Sequence, residues 1–152
     1  MTGTVKFDVF DFLEMESYQI VQALTELLNN YVQLDNEERL DEVSRIFLSI
    51  QSYLITQDAM LKAARMLDMD VESQVPGLDD AKRNILDLLN TLVMEHVDDD
   101  SFFSNLRNLK LFMESEASEE ASNFYRFLRV NNSAIDVERL KTMLSSEIML
   151  GR

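Results

Sequence analysis

Phe102-Phe-Ser-Asn-Leu106-Arg-Asn-Leu109-Lys-Leu-Phe-Met113-Glu-Ser-Glu116-Ala-Ser-Glu-Glu120-Ala-Ser-Asn-Phe124-Tyr-Arg-Phe127-Leu-Arg-Val130 is the stretch whose reading decides the fold. Phe102, Leu106, Leu109, Met113, Glu116, Glu120, Phe124 and Phe127 recur at steps of three and four, the spacing of one face of a long α-helix. The stripe is apolar at both ends and carboxylate in its middle. Glu116 and Glu120 stand at expected core positions, with only Ala117 and Ala121 beside them. Charged groups are seldom buried unless they are paired or bound to a metal. What faces these two glutamates is therefore the main question the chain poses.

Composition narrows the setting. A chain of 152 residues is most simply a single domain, spanning residues 1–152, and is long enough to bury a core without staples. Three Gly and one Pro leave few helix breakers, so long helices are favoured over many short strands. The net charge of −14 repels nucleic-acid backbones and anionic membrane surfaces, so neither is an expected partner. A basic protein partner fits that charge, although a solvated acidic surface is the plainer reading. A homodimer is left open. With no Cys, disulfides, thiol catalysis and cysteine-ligated metals are excluded. The start of the chain shows no basic segment followed by an apolar run, and no apolar run approaches about 18 residues. A soluble cytoplasmic protein is expected.

Outward from the central stretch, the same periodicity predicts four more helices, preceded by an extended arm. Residues 1–10 alternate polar and apolar and read as an extended N-terminal arm. Asp11–Val32 reads as a first helix, with Leu13, Ser17, Ile20, Leu24, Leu27 and Tyr31 on its inner face. Asn36–Leu67 reads as a second, with Leu40, Val43, Phe47, Ile50, Leu54, then Gln57 or Asp58, then Leu61 and Ala64 facing in. Asp68–Leu78, containing Pro76 and Gly77, is the longest expected loop. Asp79–Val97 is the third helix, and Asp98 to Ser101 form an acidic turn that caps the fourth. Residues 133–150 read as a short amphipathic C-terminal helix. Two helical hairpins with short turns predict an all-α, antiparallel up-down-up-down four-helix bundle with a short fifth helix.

Glu116-Ala-Ser-Glu-Glu120, followed by Ala-Ser-Asn-Phe-Tyr-Arg-Phe-Leu-Arg129, resembles the last long helix of the hemerythrin-like, or His-His-Glu cation-binding, family. There a His-x-x-x-Glu precedes an aromatic-rich segment. Glu120 matches the family's glutamate and Glu116 its histidine. Ile55 to Leu67 resembles the first such segment, with Ile55 at the histidine position and Ala59 at the glutamate. The remaining histidine positions fall near Tyr18 and Lys82. The resemblance implies the bundle fold and a degenerate metal site. The family's diiron chemistry needs several imidazoles and a pair of carboxylates, whereas this chain holds one His, His96, at none of the matching positions. No iron, oxygen binding or other cofactor is carried over, and no enzyme activity is expected.

In an antiparallel hairpin, residues equally distant from the turn lie at one level. This gathers a residual polar cluster of Ser17, Tyr18, Gln57, Asp58, Lys82, Glu116 and Glu120. One reading makes Asp58, Glu116 and Glu120 an all-oxygen site for a hard divalent cation. The favoured reading has Lys82, with tyrosine or glutamine groups, satisfying the carboxylates without metal. His96 as a phosphotransfer residue is disfavoured by the acidic Asp98, Asp99 and Asp100 that follow it. The nine Met read as core filling, with Met60, Met66, Met69 and Met94 the ones whose exposure would say otherwise. Functionally, the sequence predicts a non-catalytic regulatory or protein-interaction module. A carboxylate-rich metal-binding or ligand-sensing protein is the alternative.

Overall fold

The computed structural model describes residues 9–132 and 134–150. The chain is all-helical, with no strand among the described residues. The expected N-terminal arm lies outside the described residues except for Val9 and Phe10, and these two are the buried first turn of α1 (Val9–Asn30). The inner face of α1 carries Leu13, Ser17, Ile20, Leu24 and Leu27 at helical spacing, as the pattern predicts.

A short 3-10 turn, Tyr31–Gln33, leads to α2 (Asn36–Met66). The start of α2 is fixed by a capping box: Asp35 accepts from the Glu38 backbone N–H, and Glu38 accepts from that of Asp35. Its end is a Schellman motif built on Asp68 rather than Gly. Asp68 has φ 57°, its N–H donates to Arg65 O at 3.1 Å, and that of Met69 donates to Ala64 O at 3.0 Å. Asp is among the few residues with a side chain that tolerate this left-handed geometry. The buried face of α2 turns slightly from expectation. Ile46 and Tyr53 are in the core, Phe47 is half-buried, and Leu40 and Asp58 are exposed.

The third helix starts four residues early. α3 runs Val75–Val93, with Pro76 in its first turn. Proline there loses nothing, because the first-turn N–H groups have no intrahelical acceptor. Reading Pro76-Gly77 as a loop was therefore the error, and the connection is shorter than predicted. The acidic turn precedes α4 (Asp100–Ser115) and Asp99 stands at its N-cap, as expected, but the Asp99 side chain makes no capping bond to that helix. Its carboxylate accepts from the His96 backbone N–H instead.

Helix four departs most from expectation. α4 passes without interruption into a π-helical segment, Glu116–Ala121, and then into α5 (Ser122–Asn131). The buried face continues as Phe102, Leu106, Leu109, Met113 and Glu116, then jumps five residues to Ala121 before Phe124, Tyr125 and Leu128. The added residue turns the following helix by roughly one position. Glu120 and Phe127 thereby leave the core face for half-buried places, and Tyr125 and Leu128 enter it. Ser118 donates to Glu114 O at 2.7 Å, a back-bond of the kind that bends helices.

The elements pack α1 on α2 and α4, α3 on α4 and the π segment, and α6 (Ala134–Leu150) across α2 and α1. The Tyr31 hydroxyl donates to the Val97 carbonyl, tying the α1–α2 turn to the α3–α4 turn. Its ring packs on Phe102 and Phe103, with the Arg39 guanidinium over its face. Met60 and Met69 are buried and fill core, while Met66 and Met94 are exposed. Among the described residues no helix is long and apolar enough to cross a membrane.

Leu109 is fully enclosed at the middle of α4. Leu109→Ala is expected to lower unfolding stability by about 2–5 kcal/mol, read from denaturant midpoints.

Candidate functional site

Glu116 is the only carboxylate buried among the described residues, at 1% exposure. It sits where the π segment begins. From α2, the Tyr53 hydroxyl lies 3.0 and 3.1 Å from its two oxygens, and Gln57 Nε2 donates to Oε1 at 2.8 Å. Gln57 Nε2 also approaches the Tyr53 and Tyr125 hydroxyls at 3.3 and 3.4 Å. Tyr125 comes from α5 and stacks on Phe10 of α1, with ring centroids 5.7 Å apart. Four side chains from two helical rods thus close into one buried knot. No buried side-chain polar atom among the described residues is left without a partner.

The knot holds no cation among the residues bonded to Glu116. Burial pushes its carboxyl above the usual glutamate range; the bonds from Gln57 and Tyr53 partly offset this, and the nearby Glu120 adds repulsion. Tyr53 and Tyr125 are both pushed up, chiefly by burial and also by the charge on Glu116, so each phenol keeps its proton and can donate. The arrangement is chemically a closed proton-holding pocket. The groups around Glu116 satisfy its oxygens.

The expected seven-residue cluster divides into several parts. Gln57 and Glu116 meet as predicted. Ser17 is buried at this level, but its hydroxyl donates to the Glu14 carbonyl of its own helix at 2.8 Å. Tyr18 is 64% exposed. Lys82 does not reach Glu116; it pairs with Asp58 at the surface between α3 and α2. A lysine near the start of α3 can extend along the surface to an exposed carboxylate without losing its hydration, whereas entering the core would cost it that hydration. Glu120 swings to the first turn of α3. A Cβ on Gly77 would lie 2.2 Å from Glu120 Oε2, so the missing side chain is what admits the carboxylate there. The position suits an anion, because free N–H groups and the helix dipole make a helix start electropositive.

Asp58 is therefore at the surface with Lys82, apart from Glu116 and Glu120, and of these two Glu116 is bonded in the knot while Glu120 lies against Gly77. Among the described residues, no group of three His, Asp or Glu that could hold a metal ion is found. His96 is exposed, pairs with Asp98, and lies in the turn before α4, away from this level. Tyr53 and Tyr125 were missed. Tyr53 is one helical turn before Gln57, a spacing that places both on one face. Tyr125 stays hidden as long as the fourth helix is read with unbroken α periodicity.

Two open clefts flank the π segment. One, of about 210 Å³, lies toward α3 and is lined by Gly77, Asp80, Phe112, Glu116 and Glu120 among others. The other, of about 330 Å³, lies toward α1.

Two outcomes follow from the knot. The folded chain holds the Glu116 proton more tightly than the unfolded chain, so this group's contribution is favourable below the ordinary glutamate range and is lost as pH rises through its raised folded value. Glu116→Gln should remove that loss. The stability of the variant minus that of the parent should therefore increase as pH is raised from about 4 to 8; a difference that does not change with pH would contradict the buried carboxyl. Lys82→Met removes only a surface pair and should change stability by less than about 1 kcal/mol near neutral pH.

Comparison of the chain with protein-family models, with curated proteins and with solved structures gives no match.

Proposed function

We propose that this chain is a non-catalytic regulatory or protein-interaction module. In this reading it is an antiparallel up-down-up-down four-helix bundle on a hemerythrin-like pattern, with α6 added, and it has lost diiron and oxygen binding. The observation that carries the reading is the occupant of Glu116. At the position matched to a family histidine, a carboxylate is buried and bonded by Tyr53 and Gln57. Those donors use the lone pairs a metal would need. The matched positions near Tyr18 and Lys82 supply an exposed phenol and a lysine already paired with Asp58. A bundle whose interior is sealed in this way acts through its surface.

A second reading, a carboxylate-rich metal or ligand sensor, draws on the 210 Å³ cleft that Glu116 and Glu120 both line. Protein purified without chelator should carry no stoichiometric iron by elemental analysis. Its thermal midpoint should not respond to added Fe²⁺ or Mn²⁺. Stoichiometric iron would overturn the first reading, and a saturable upward shift with either cation would favour the second.

A further inference from the structure

We infer that the cleft between α1 and the π segment is a docking groove for a basic amphipathic helix of another protein. The inference rests on the interaction reading above and names the chemistry of its partner. The groove exists because the wall opposite α1 is built of short side chains. Ala117, Ser118 and Ser122 leave about 330 Å³ open beside Val21 and Tyr18. The π segment presents Ala117 and Ser118 here, and α5 adds Ser122 as its first residue, since the five-residue step takes Glu116 and Ala121 inward. On α1 the lining runs from Glu14 to Val21, about 10 Å at 1.5 Å per residue. Two turns of floor accept the i and i+3 or i+4 anchors of a docked helix. Tyr18 and, one turn earlier on the same helix, Met15 are 64% and 58% exposed, offering apolar surface along this side of α1.

Charge selects the occupant. Glu14 stands at one rim and Glu114 at the other. Each already has a cation, Arg129 at 3.7 Å from Glu14 and Lys110 at 3.6 Å from Glu114. These are exposed pairs of the kind worth about 0–1 kcal/mol, so a partner's Lys or Arg can share either carboxylate at little cost. Glu119 follows on the same segment, is exposed and forms no ion pair among the described residues. A second copy of this chain would bring a like net charge of −14 and is repelled, as are nucleic acids and anionic membranes. A helix with apolar anchors and flanking Lys or Arg matches both floor and rims.

The probe is a synthetic helical peptide with Leu at i, i+3, i+4 and i+7 and Lys elsewhere, titrated into the isotopically labelled full chain at about 0.15 M salt. Saturable amide shifts should centre on Tyr18, Val21, Ala117 and Ser122, and a Glu-for-Lys version of the peptide should cause none. Ser118→Trp fills the groove and should weaken binding by about tenfold or more. Thr91→Trp on α3 should bind like the parent. Both positions are exposed, and both hydroxyls bond only their own helix, so each variant should fold. Shifts scattered over the acidic surface, or affinity indifferent to Ser118→Trp, would overturn the groove. Saturable binding on another face would do so while leaving the interaction reading standing, and that reading fails separately on the metal titration.

Discussion

A carboxylate enclosed without a cation sets the terms for the rest of this structure. Moving Glu116 out of water is unfavourable unless its oxygens are bonded. Tyr53 and Gln57 provide that bonding from one helix, and they can do so only if α2 lies alongside the middle of the fourth rod at a fixed height. A purely apolar seam tolerates sliding by a helical turn. A buried carboxylate with two dedicated donors does not, since a shift strands a charge in the core. The knot thus sets the register of α2 against the rod, while the Tyr31 hydroxyl on Val97 joins the two turns by a second long-range polar contact.

The π segment is the geometric consequence. Glu116 must stay inward to keep its donors, and Phe124, Tyr125 and Leu128 must stay inward to fill the core around Phe10. An unbroken α-helix would place Glu120, not Ala121, on the inward face beside Glu116. Two carboxylates would then share one dry site and repel each other. One inserted residue resolves the conflict. Ala121 takes the inward place, and Glu120 moves to the start of α3, where Gly77 leaves room and the helix dipole is favourable.

Much of this was legible in the residues. Helix existence, the inner face of α1 and the Asn36 start of α2 follow from spacing and capping, and level counting puts Gln57 in one cluster with Glu116. The misreadings have physical causes. Pro76 reads as a breaker from the sequence, although proline is harmless in a first turn. Level counting and the matched family position both put Lys82 at the height of Glu116, but height does not say whether a side chain turns inward. The π step leaves no mark in hydrophobic periodicity, because Glu120–Phe124–Phe127 and Ala121–Phe124–Leu128 are both acceptable helical stripes. What distinguishes them is the cost of burying a second carboxylate. That cost favours Ala121, and with it Tyr125, on the inward face.

The same step links the interior to the surface. Adding one residue between Glu116 and Ala121 settles two core positions and also determines which side chains the segment shows outside. Ala117 and Ser118 come to face α1 across an open cleft, and Glu120 faces α3 across another. An α-helical version of the same sequence would turn the residues after the step by about 100°, the angle one residue occupies in a helix of 3.6 per turn. Glu120 would then face inward, and the small-residue wall would no longer be assembled opposite Tyr18 and Val21. The cleft beside α1 is therefore tied to the buried carboxylate: the bonds that hold Glu116 to Tyr53 and Gln57 also hold the wall of the groove in place.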